Sequence, residues 1–170
     1  MLTTADIERY FTGEKQESLL FMLIGLLSVA GGLVALFILK TAFWKGLAIP
    51  CMAIGVLLGI VGWTVFARSD NDRIRNVYAY SMNPDQLKQE EVPRMELVMK
   101  NFRLYRYIEI TVLIVGLLMA LWGFNSGKQH LMGWGCGLML MAAIALTADF
   151  FAERRGAGYL EGLKSFTVIR

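Results

Sequence analysis

Four runs of apolar residues organise the chain. The first, Leu19 to Leu39, contains no charge, and the second, Leu47 to Ala67, lies between Lys45 and Arg68. The third, Ile110 to Phe124, is shorter, and Tyr107 and Ile108 extend it at one end. The fourth, Leu131 to Ala148, is closed by Asp149. A helix needs roughly 20 apolar residues to cross a hydrocarbon core about 30 Å thick. The pattern therefore predicts an all-α fold, a polytopic membrane four-helix bundle with spans at about 19–39, 47–67, 107–124 and 131–148.

Between and beyond these runs the periodicity becomes amphipathic. After Arg68 the positions Ile74, Val77, Tyr78 and Ser81 keep helical spacing, so the second helix is expected to continue past the span. Asn83-Pro84 should end it, Asn as a cap and Pro in the first turn of the next helix. Pro93 marks a further start, from which Met95, Val98, Phe102 and Tyr105 lead into the third span. At the N-terminus Ile7, Tyr10 and Phe11 share one face of a short helix starting after Thr3 or Thr4, with Gly13 expected to break it. Tyr159, Leu163 and Phe166 repeat at helical spacing near the C-terminus. Packing on the other extensions suits that segment better than lying on lipid, because Gly156, Gly158 and Gly162 make an isolated helix poor. The result is a single membrane domain of two hairpins, a helical connection at 68–106 and a tail at 149–170. The hairpins are weakly alike: each contains Gly-Leu-Leu (from Gly25 and Gly116) and leaves through aromatic-Ala-charged (Phe66-Ala67-Arg68; Phe151-Ala152-Glu153), which leaves duplication open.

Composition supports the membrane assignment. The 170 residues are 56% hydrophobic and 18% charged, against about 25% charged in soluble domains. The first run is expected to remain in the mature protein. It is long enough to span, four acids precede it (Asp6, Glu8, Glu14, Glu17), and no clean small-x-small cleavage site follows. Charge adds orientation. Fourteen Lys and Arg lie in the two end segments and the middle connection, against three (Lys40, Lys45, Lys128) in the other two loops. The positive-inside rule then places both termini in the cytoplasm, and a bacterial inner membrane is the expected location. The outer loops, Lys40 to Gly46 and Asn125 to His130, are too short for a domain, and Phe43, Trp44, Trp122 and Trp134 cluster at that boundary.

Candidate chemistry is sparse. Ionisable residues in or near a span are functional candidates by default. Arg68, Arg106, Glu109 and Asp149 lie at similar depth near the inner boundary, and read either as an interfacial ring of ion pairs that docks the helices or as a polar contact point. No ionisable residue falls at the centre of a span, which counts against a proton- or ion-coupled transporter acting as a monomer. Gly55, Gly59 and Gly62, and Gly133 and Gly137, form small-residue stripes that let helices approach closely, either within the bundle or at a dimer face. Cys51 and Cys136 lie at matching depth, where buried thiols are the ordinary reading and a disulfide is geometrically conceivable. Most methionines read as core filler, while Met82, Met95 and Met99 fall in the inner layer, where Met-rich faces can bind partner helices. One histidine and no CxxC leave zinc without ligands. No cofactor is expected. There is no local nucleophile–base pair, no phosphate-cradling glycine loop and no HExxH, so a non-enzymatic role is expected. Lipid chemistry would have only the Glu109/Asp149/Arg zone to draw on. Asp70, Asp72, Asp85, Glu90, Glu91 and Glu96 interleave with the bases of the middle connection, which argues against nucleic acid.

The stretches GEKQESLLF (13–21), FWKGLAIP (43–50), SDNDRIRNVYAYSMNP (69–84) and ADFFAERR (148–155) resemble those of small four-span proteins of bacterial inner membranes. Proteins of that plan resemble the membrane-embedded immunity partners of secreted antibacterial toxins, including type VI effectors that attack the inner membrane. The resemblance covers the general plan of the chain and carries over no functional residue. It implies a lipid-embedded protein that binds a toxin or a membrane-complex subunit and neutralises its membrane-inserting part, with a homo-oligomer also open. The alternative from the residues is a small channel or transporter subunit active only as an oligomer. That reading wants a polar stripe along one span, and Ser28, Thr64, Thr111 and Thr147 are too scattered to make one.

Overall fold

The computed structural model describes residues 2–166. Four long helices dominate it: α1 (Thr4–Val34), α2 (Ala42–Met82), α4 (Val92–Asn125) and α5 (Gln129–Ser165), with a single turn, α3 (Pro84–Gln86), before α4. All four are long and apolar enough to cross a membrane. The chain is thus an all-α, multi-pass helical bundle built from two hairpins, α1–α2 and α4–α5.

The termini of these helices follow local chemistry. Thr3 caps α1 through a reciprocal box with Asp6: the Asp6 amide donates to the Thr3 hydroxyl and the Thr3 amide to the Asp6 carboxylate. The last turn of α1 widens to i→i+5 bonding over Ala35–Leu39 and closes on Lys40, a left-handed residue at φ 56°. Thr41 then caps α2, so the α1–α2 connection is two residues long, shorter than the expected Lys40 to Gly46. Asn83 ends α2 as expected, although its side chain makes no capping bond, and Pro84 occupies the first turn of α3.

Gly13 does not break α1, which runs without interruption from Thr4 into its span. A Cβ at Gly13 would lie 2.9 Å from Arg155 Cδ, so the glycine serves close packing against α5. Continuity holds also for α5, which passes Gly156, Gly158 and Gly162 and ends only at Ser165. Neighbours supply what helix propensity lacks there. The expected tail at 149–170 is therefore a helical extension, and its last four residues lie outside the described ones.

The helices lie in the order α1–α2–α5–α4. α2 packs on both α1 and α5, α1 touches α5 along a narrower line, and the α4 backbone packs against α5, reaching α1 only through side chains of its first turn. Two kinds of core result. At the end carrying the termini, large side chains are buried: Ile7, Phe11, Leu87, Met95 and Leu163, with Tyr10, Tyr159 and Phe166 around them. Along the apolar spans the buried residues are mostly small, among them Gly25, Ala48, Gly55, Gly116, Gly133 and Gly137. Water drives large apolar groups together, whereas lipid offers no such force and helices associate by close backbone contact. The change in packing style marks where the spans give way to a polar head. Between 11% and 28% of each span's most apolar window is buried within the bundle, so Leu, Ile, Val and Phe face outward as a lipid-facing surface.

Candidate functional site: the polar head and its outer groove

Each helix continues past its span, and the four extensions form the head. At its base lies a layer of ion pairs. Glu14 on α1 is mostly buried and is held by Arg68 at 3.2 Å and by the Ser69 hydroxyl, which donates at 3.2 Å. Arg68 also reaches Asp72 one turn on. Glu17, one turn below Glu14, binds Arg155 of α5 at 2.6 Å. Lys15 pairs with Asp70 and lies over the Phe66 ring. Burial pushes the Glu14 carboxyl above the usual carboxylate range, against the opposing pull of Arg68, Arg94 and Ser69.

Above this layer sits a deeper pair. Glu91, only 2% exposed, accepts two bonds from Arg94, from Nε at 2.8 Å and Nη2 at 2.6 Å. Such a fork is the strong form of carboxylate recognition. Arg94 also lies over the Phe11 ring, and its Nη1 is buried without a partner. The buried Tyr159 hydroxyl faces Glu91 from α5. Its ring stacks on Tyr10 with centroids 4.2 Å apart. Burial first, then the nearby Glu14, raise the Tyr10 phenol to about 12. Burial raises Tyr159 further. Tyr80 ties the N-terminus down by donating to the Leu2 carbonyl at 3.1 Å.

The four ionisable residues singled out from sequence do not form one ring. Arg68 belongs to the α1–α2 layer, whereas Arg106 pairs with Glu153 within the second hairpin. Glu109 and Asp149 face each other between α4 and α5. Arg68 and Glu153 occupy matching places in the two aromatic-Ala-charged sequences, and each reaches back to the preceding helix of its hairpin with opposite charge sign. The partners that close these bridges, Glu14, Glu17, Glu91, Arg94 and Arg155, read only as scattered charges. Their roles follow from contacts across up to 138 positions of sequence, as between Glu17 and Arg155.

Most of the singled-out glycines pack inside the bundle. A Cβ at Gly55 would lie 2.8 Å from Ser28 Cβ, and one at Gly62 would lie 2.6 Å from the Ser18 carbonyl oxygen. Gly133 and Gly137 bring α5 against the Phe43 carbonyl and Pro50 of α2. Gly59 differs: its backbone backs onto Gly25, yet its own Cβ direction is open. Cys51 and Cys136 are both free thiols. Met95 is core and Met99 rests near Gly156, while Met82 is exposed.

Met82 belongs to an open groove on α2. On the outer side of the α2 extension, Ile74, Tyr78 and Met82 are exposed one turn apart and line a groove of about 470 Å³ with Val77, Glu8 and Arg73. The other side of this extension is clamped, by Arg68 to Glu14, by buried Asn76 and by Ala79 in the head core. A second hollow of about 370 Å³ opens beside Arg9, Tyr10 and Arg155, with Asp6 at its edge offsetting the arginines. Among the described residues no cluster of His, Cys, Asp and Glu is arranged to hold a metal ion. No family model, curated protein or solved structure matches the chain.

Proposed function

We propose that this protein is a non-enzymatic binding protein of the bacterial inner membrane, with head and termini in the cytoplasm, that captures an apolar helix of another membrane-inserting protein. The orientation rests on fourteen Lys and Arg on the head side against three on the other. The observation that carries the binding reading is the α2 groove. Ile74, Tyr78 and Met82 are 62%, 63% and 71% exposed on a helix whose opposite face is fixed by ion pairs. Exposed apolar area costs about 25 cal/mol per Å², and a contiguous patch of it marks an interaction surface. Below the groove, Ile60 and Trp63 continue the exposed apolar surface of α2 into the span. An occupant that leaves the bilayer along this helix could cover both parts, and Met82 adapts to varied partners.

The resemblance to immunity partners gives the occupant its form: the membrane-inserting segment of an antibacterial toxin, held so that it cannot assemble a pore. The test is co-expression with a membrane-acting toxin encoded beside this gene. Cells should survive, and Tyr78→Asp with Met82→Asp should abolish protection while the protein stays folded and at normal level in the membrane. Equal killing with and without the protein rejects the reading. A small channel or transporter subunit is the competing reading, and ion flux into liposomes from the purified protein alone would favour it.

A further inference from the structure

Among the long helices α4 packs its backbone against α5 alone, and only its first turn reaches α1, through Arg94 over the Phe11 ring and Met95 in the head core. Met95, Gly116 and Gly123 are buried on its inner side. On the opposite side Leu97, Asn101, Leu104 and Ile108 recur at alternating steps of four and three, and the same spacing continues through Thr111, Val115, Leu118 and Trp122. Leu97, Leu104 and Ile108 are 58%, 55% and 52% exposed. Within the span, lipid satisfies such a face whatever its period. Leu97 and Leu104 lie outside it, flanked by Glu96, Lys100 and Arg103, where water does not.

We propose that this face of α4 is a homodimer interface, on which a second copy of this chain lays its own α4 in parallel. Copies inserted with the same orientation meet about a two-fold axis along the membrane normal, so like helices run parallel. A 3.5-residue apolar repeat is what a two-stranded coiled coil requires, and one polar residue at its core fixes register. Asn101 holds that place. Its amide both donates and accepts, so it pairs with the partner's Asn101. The flanks are also compatible with self-pairing. In a parallel pair a flanking residue meets the partner's residue five positions later, which sets Lys100 against the partner's Tyr105 and avoids Lys100 on Lys100. A Lys ammonium over a Tyr ring is attractive. The stripe is roughly 38 Å long at 1.5 Å per residue. Its strict period implies a gentle left-handed supercoil. α2 and its groove lie on the other side of α5, so the proposal stands apart from the toxin-binding reading.

The experiment is a cysteine scan in native membranes, with Cys51 and Cys136 replaced by alanine. Single cysteines are introduced along the α4 extension, and the membranes are oxidised with copper phenanthroline. Leu97→Cys and Leu104→Cys should give a band at twice 19.1 kDa, at least tenfold stronger than Glu96→Cys and Arg103→Cys, which point away. Purified Leu104→Glu should run as a monomer by mass while its helical circular dichroism is unchanged. Even cross-linking at all positions, no dimer band, or an adduct of another mass would each overturn the proposal, the last by assigning the face to a different protein. A Leu104→Glu protein that remains dimeric would do the same.

Discussion

At the scale of single residues, the deepest ion pair of the head is Glu91 with Arg94, whose side chains are 2% and 20% exposed. Removing one partner of a buried pair leaves the other unsatisfied and costs about 3–5 kcal/mol. Arg94→Ala should therefore destabilise the head by that amount and expose the chain around Glu91 to protease. Glu91→Leu with Arg94→Leu should recover most of the loss, and thermal unfolding of the three variants in detergent checks both statements. Tyr10 adds a pH signature. Its folded-state phenol titrates at about 12, above the ordinary 10.0. Its contribution to stability is therefore complete below pH 10 and is lost as pH rises to about 12. Absorbance at 295 nm should show Tyr10 and Tyr159 ionising late in the alkaline range, and Tyr10→Phe should remove one late step. None of this was legible in the sequence. Glu91 is one of three acids within seven residues (Glu90, Glu91, Glu96), and only the approach of Phe11 and Tyr159 from the chain ends makes it the buried one.

At the scale of elements, the four long apolar helices were legible because a run of roughly 20 apolar residues fits a spanning helix whatever it packs against. The amphipathic stripes were legible too: Ile7, Tyr10 and Phe11, and Tyr159, Leu163 and Phe166, all enter the head core. Gly13 misled because propensity describes an isolated helix, whereas here Arg155 fills the space a side chain would take. The glycine stripes showed that helices approach closely without showing which ones. Gly133 faces the α2 backbone at Phe43, so Gly133→Leu should push the hairpins apart and cost about 1–3 kcal/mol through overpacking. Gly59→Ala meets open space and should leave stability unchanged or raise it by about 0.5–1 kcal/mol. Thermal unfolding of the two variants checks the contrast, and equal losses would mean that α2 and α5 do not pack as described.

At the scale of the whole molecule, the chain joins two assemblies made by different forces. In the spans, small residues let helices touch while their large side chains face outward. In the head, large side chains and paired charges bury each other. The sequence indicated both parts and their charge asymmetry, but the order α1–α2–α5–α4 depends on which glycines meet which carbonyls. That order leaves α2 and α4 facing outward on different sides, one with the groove and one with the heptad stripe. The reading of the α2 groove requires the head to lie inside the cell. Single cysteines at Lys45 and Lys88, in a background with Cys51 and Cys136 replaced by alanine, test this directly with a membrane-impermeant maleimide. Lys45→Cys should label in intact cells, and Lys88→Cys only after the membrane is opened. Labelling of Lys88→Cys in intact cells, with Lys45→Cys protected, would contradict the account.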